Sequence, residues 1–170
     1  MNALFLASLT LAGWLAGHPE LRPVTEEVRV AYEQYHAGMT ILNRVVPSLA
    51  TSYSQLSTMA KKANEATKAA LTEAKEELDD AGAALSEYIS EPVDLGAFAK
   101  DSDSYNELRI EAISDCESAQ EGLESCLNKL KSLPETPALK ALIQDIQLEQ
   151  EDIQSAFEEL GGDPTEGPLY

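Results

Sequence analysis

The chain has 170 residues, 44% of them apolar, enough for one packed core and too apolar for global disorder. Twelve Lys and Arg stand against 30 Asp and Glu, a net charge of −18. That balance argues against nucleic-acid binding through clustered cations and against charge-driven coating of anionic membranes. Two Cys and two His could supply at most one four-ligand zinc site, and neither His has a Cys at ligand spacing, so no metal or cofactor is expected.

In chain order, residues 3–16 carry no charge. The run is short for a membrane span, which needs roughly 20 apolar residues, and suits the core of a signal peptide. Small residues permit cleavage after Ala12 or, less well, after Gly17. Residues 1–17 therefore read as a signal-like or anchor segment. Cleavage implies export, retention implies membrane contact through this segment, and a helix folded into the core implies a cytoplasmic protein.

Beyond Pro23, Val24, Val28, Ala31, Tyr35, Met39, Leu42, Val45 and Leu49 recur at the three- and four-residue steps of one helix face. Pro47 interrupts this stripe, which predicts a kink or a break there. After it the stripe resumes in phase through Tyr53, Leu56, Ala60, Ala63, Thr67, Ala70, Ala74, Leu78, Ala81, Leu85 and Tyr88. A single helix from Ser48 to Ser90 would be about 64 Å long at 1.5 Å per residue. Its middle, Ala60 to Ala84, is rich in alanine and predicts close helix pairing without a ligand cavity.

Residues 91–103 read as the main loop, with Pro92 stopping the helix, Gly96 turning, and Val93, Leu95 and Phe98 folding back over the bundle end. Ser104 with Glu107 resembles a capping box. The helix it opens carries Ile113, Cys116, Gln120, Leu123, Leu127 and Leu130 in coiled-coil spacing and should end near Leu133. Thr136 and Pro137 then form an N-cap with proline in the first helical position. The last helix lines up Leu139, Leu142, Ile146, Ile153, Phe157 and Leu160 and is closed by Gly161-Gly162. The expected architecture is all-α, an elongated antiparallel bundle or coiled coil of about four long helices. One domain spans 18–160, and 161–170 form a flexible tail.

The charge is uneven. Residues 1–72 sum to +1 and residues 73–170 to −19. No acid occurs from Gln34 to Asn64, which predicts a helix covered on several sides. The acidic runs Glu73 to Asp80 and Glu149 to Asp152 read as solvated faces.

Residues that could carry chemistry are few. Cys116 and Cys126 are ten positions apart, about 15 Å along one helix, beyond disulfide reach. Cys116 falls in the seam and Cys126 flanks it. A disulfide would need a break at Gly122 or a second chain. His36 reads as packing beside the seam, and Glu33-x-x-His36 lacks the second pair that a di-iron bundle requires. His18 has no ligand partner at helical spacing. Asp101-Ser102-Asp103 opens like a calcium loop, but Asn106 and Ala112 stand where glycine and glutamate are needed, so capping explains it better. No phosphate loop, nucleophile elbow or catalytic triad occurs.

The residues therefore favour a non-enzymatic interaction or scaffold protein that self-associates or binds a protein partner through helical surfaces. The candidate interface residues are Met39, Leu42, Val46, Tyr53, Leu56 and Met59 in the charge-poor stretch and Leu123, Leu127 and Leu130 in the later seam. The alternative is a secreted helical carrier that holds a lipid or other apolar molecule against the same side chains. An acidic decoy of nucleic acid is a minor third reading.

Overall fold

The computed structural model of the chain describes residues 24–163. These residues are 84% helical, with no strand among them. Four long helices, α1 (Glu26–Lys62), α2 (Glu65–Ser86), α4 (Ser102–Lys131) and α5 (Pro137–Glu159), are joined by tight links and one short helix, α3 (Leu95–Lys100). Helix α1 packs on α2 and α5, and α4 packs on the same two, while the diagonal pairs touch little. The four helices thus close a ring running up, down, up and down, the antiparallel bundle expected from the sequence. The 1–17 segment and His18 lie outside the described residues, as does the tail from 164 onward.

The chain reverses where the sequence pattern did not. Pro47 lies inside α1, which continues unbroken for 37 residues. Proline removes the N–H that the Asn43 carbonyl would accept. Pro47 itself is exposed and Asn43 half-buried, so that carbonyl can find water. The Asn43 side chain is also stapled to the loop after α2: its amide donates to the Ser90 carbonyl at 3.3 Å and its oxygen accepts from the Ser90 N–H at 3.2 Å. The break comes at Ala63–Asn64. Asn64 is extended and its side chain accepts from the Thr67 N–H at 3.1 Å, an N-cap that opens α2. The rod expected from Ser48 to Ser90 is therefore a hairpin, because a stripe that stays in phase across two residues does not register a turn.

Three other expectations are revised. The loop at 91–103 contains α3, capped by Asp94 accepting from the Ala97 N–H at 2.8 Å. Helix α4 begins at Ser102, and Ser104 donates to the Asp101 carboxylate at 2.8 Å instead of capping. Helix α1 is not central. It has the same exposed outer face as its neighbours, covered by Thr40, Thr51, Ser54 and Thr58, whose hydroxyls donate to carbonyls four residues back.

At the opposite end from the hairpin links, Phe98 is fully buried. It stacks on Tyr105 at 5.2 Å and meets Tyr32 and Tyr35 edge-on or tilted at 5.6 and 5.5 Å. This aromatic cluster seats α3 over α1 and α4, as the fold-back of Phe98 anticipated. The Thr136 hydroxyl accepts from the Leu139 N–H at 3.2 Å with Pro137 at the first helical position. Helix α5 ends in a Schellman motif: Gly162 N–H donates to Phe157 O and Gly161 N–H to Glu158 O, both at 2.9 Å, with Gly161 at φ +90°. The last turn of α5 holds no base, and Arg109 of α4 donates to the Leu160 carbonyl instead. Gly38 lets α1 approach α5, since a Cβ there would stand 2.3 Å from Leu160 Cγ.

Pro47→Ala restores one backbone hydrogen bond at an exposed, already helical position. It should stabilise the bundle by about 1–3 kcal/mol, read as a higher urea midpoint with unchanged slope. An unchanged or lower midpoint would show that α1 does not run straight through residue 47.

Candidate functional site

Reversal at Ala63–Asn64 brings two hairpin links together at one end of the bundle. The α1–α2 link and the α4–α5 link, residues 132–136, share a cleft of about 380 Å³. Met59, Ala63, Leu71, Leu133, Pro134 and Leu139 give it apolar walls, and Lys62, Asn64, Thr67 and Thr136 its polar groups. A second cleft of about 480 Å³ runs beside it between α4 and α5 and shares Leu133 and Leu139. Both are open to solvent, and both run from the end of one helix along the opening turns of the next.

The charge here is opposite to that of the molecule. Residues 56–71 and 128–143 hold six of the eight lysines and two acids, Glu65 and Glu135, a local balance of +4 in a chain of −18. Lys129 is used internally: its ammonium lies 2.6 Å from Glu77, which also accepts from the Ser125 hydroxyl at 3.0 Å. The Lys129 hydrogen bond, with that of Ser125, holds the Glu77 carboxyl below the usual range. Lys61, Lys62, Lys131 and Lys140 are exposed and lie within 4 Å of no carboxylate among the described residues. The tip is thus a basic cap with apolar slots on an acidic body.

The body has its own buried chemistry. Glu149, expected on a solvated face, is 3% exposed and fills the core position between Ile146 and Ile153 on α5. Ser48 and Ser52 of α1 each donate to its Oε1 at 2.7 Å, while Oε2 is buried without a partner. Burial raises its pKa above the usual carboxylate value, opposed by the two serine hydrogen bonds and reinforced by Asp145 and Asp152. Tyr88 donates to the Asp115 carboxylate at 2.6 Å, and burial together with this bond keeps the phenol protonated.

Both cysteines are free and buried, Cys126 inside the seam rather than beside it. Burial first, then Asp115 and Glu117, pushes the Cys116 thiol up to about 12; burial and Glu77 do the same for Cys126. Such thiols are packing groups rather than nucleophiles. His36 is exposed, its ring 5.6 Å from that of Tyr32, so it does not pack beside the seam. Glu33 is bound to Arg29 rather than set toward His36.

Met39, Leu42, Val46, Leu56, Leu123, Leu127 and Leu130 join in one buried core. This corrects their assignment to an interface, because the chain's own helices already cover them. Tyr53 is half-buried, with Lys75 over its ring at 5.5 Å. Of the nine, Met59 and Leu130 reach the two tip clefts, and Val46 and Tyr53 border a shallow groove between α1 and α2. The lysines of the tip were not foreseen. The signal was Asn64 three residues before Thr67, an N-cap that would have split the supposed rod. No known protein family, curated protein or solved structure matches the chain.

Glu149→Gln tests the buried carboxyl. A folded-state pKa raised above the unfolded one means that stability is complete below the ordinary Glu range and falls as pH rises through the raised value. The variant should lose less stability than the parent between pH 5 and pH 8, by about 1 kcal/mol or more, in urea melts at each pH. Parallel pH profiles would show that Glu149 is solvated.

Proposed function

We propose that the chain is a non-catalytic interaction protein, a rigid four-helix scaffold that engages a protein partner end-on at its basic tip. The observation that supports this reading is the segregation of charge: Lys62, Lys131 and Lys140, exposed and without an ion-pair partner among the described residues, line apolar clefts on a molecule that is otherwise acidic, and Lys61 adjoins them. Unspent charge beside exposed apolar walls is the composition of a docking surface, with apolar contact supplying affinity and charge supplying orientation. The remaining reactive side chains support the same reading, since the thiols are sunk in packing and Glu77, Asp115 and Arg109 tie helices together.

The carrier reading draws less support. Side chains named for it fill the space between the helices rather than line a cavity there. Self-association through Leu123 to Leu130 loses its residues to the monomer's own core for the same reason.

A photo-crosslinking amino acid placed singly at Lys62 or Lys140 on the tip, and at Glu76 or Glu151 on the body, tests this in extracts of the producing organism. Tip positions should give a discrete heavier adduct, identified by mass, and body positions none. Adducts only from the body, or none from any position, would overturn the proposal.

A further inference from the structure

The two tip clefts meet at Leu133 and Leu139; Lys62 lines one, Lys131 and Lys140 line the other with Glu135, and exposed Lys61 precedes Lys62 in the last turn of α1. The complement of such a surface is a chain segment that carries a large apolar side chain between carboxylates. We propose that the tip docks an acidic peptide segment of another protein, its apolar anchor seated in the cleft walled by Met59, Leu71, Leu133 and Leu139. This rests on the interaction function proposed above and adds the chemistry of the partner.

An acidic segment can approach an acidic protein here because screening makes the tip's field local. The Debye length is about 8 Å at physiological salt. On the tip itself Glu65 lies 4.0 Å from Lys68, which leaves Glu135 as the acid on the cleft rim. Beyond it, at 1.5 Å per residue, Glu124 stands about 12 Å from Ser132, Asp145 about 14 Å from Thr136, and Glu73, 3.9 Å from Lys129, about 14 Å from Asn64 along their helices. Ammonium groups at the rim therefore outweigh the body for a ligand held at the end. The clefts, about 380 and 480 Å³, fall within the size range of sites that enclose small ligands. A phosphate backbone fits less well. Among the described residues the tip offers no arginine fork, since Arg29, Arg44 and Arg109 lie elsewhere, and apolar walls add nothing to phosphate recognition. An anionic bilayer would meet the lysines but leave the clefts empty, because a flat surface does not enter them.

The test uses the full chain and a fluorescein-labelled peptide, Glu-Asp-Glu-Leu-Glu-Glu-Phe-Leu-Glu-Asp, read by fluorescence anisotropy. Binding should be saturable and weaken on raising salt. It should fall by about tenfold or more with a Lys62→Glu/Lys140→Glu chain, whose fold is checked by circular dichroism. It should fall similarly when the leucines and phenylalanine of the peptide become serine. Leu133→Ser, at a half-buried turn position, should weaken the peptide without changing the salt slope. No binding at about 1 mM peptide, or equal binding by the charge-reversed chain, overturns the proposal. It is also overturned if phosphatidylserine vesicles retain the chain when the peptide does not bind. A dimer in sedimentation that charge reversal abolishes and the peptide does not compete with assigns the tip to a second copy instead. If the peptide fails while tip photo-adducts persist, the partner's chemistry is wrong and end-on docking stands; if both fail, both readings fall.

Discussion

Asn64 controls what this molecule presents. Its side-chain oxygen accepts from the Thr67 N–H and from the Thr67 hydroxyl, both at 3.1 Å, while its extended backbone turns the chain out of α1 and into α2. Without that reversal the alanine-rich segment would continue as a rod, and its stripe would need another molecule to cover it. With it, Leu71, Ala74, Leu78, Ala81 and Leu85 close against α1 and α4, and the ring of four helices becomes complete. The same turn sets Lys62 beside the α4–α5 link. The basic tip is thus a product of topology, assembled from two weakly charged segments that lie some 70 residues apart.

Polar groups between the helices act as ties of unequal quality. Lys129 with Glu77 and Ser125, and Arg44 with Asp152 at 2.7 Å, lie near solvent and add orientation more than stability. Arg109 is better placed, closing the carbonyl end of α5 from a neighbouring helix. Glu149 is the exception, a carboxyl in a leucine and isoleucine layer with one oxygen twice bonded and the other bare. A buried group of this kind favours one register between α1 and α5, because a shift of one turn would strand both serines and the carboxyl. The bundle gains specificity there and carries a stability that depends on protonation.

Most of the helical content was legible because apolar residues recur at helical spacing over long stretches. All six residues named on the last helix are buried, and Thr136, Pro137 and Gly161 mark its ends as capping chemistry requires. What escaped has physical causes. A two-residue link that keeps the stripe in phase hides a hairpin, so Ala63–Asn64 was passed over and Pro47, a stronger breaker on paper, drew the boundary. Pro47 is tolerated because it faces solvent. Glu149 was read by its charge rather than its place, although it sits three residues after Ile146 and four before Ile153, where the stripe demands a core residue. Of the candidate interface residues, Met59 and Leu130 belong to the tip, while its lysines acquire meaning only once two distant turns are placed side by side.

The fold-back at Ala63–Asn64 fixes one distance in the bundle that can be measured directly. Nitroxide labels at residues 50 and 83, both alanines exposed on the surface, can be introduced as cysteines while the native thiols remain buried. In the bundle these two positions border the same shallow groove between α1 and α2. Pulsed electron–electron resonance should therefore give a single separation below about 20 Å, the scale of two packed helices plus label arms. A continuous helix would hold the labels about 50 Å apart at 1.5 Å per residue, and that value would contradict the hairpin and the tip built upon it.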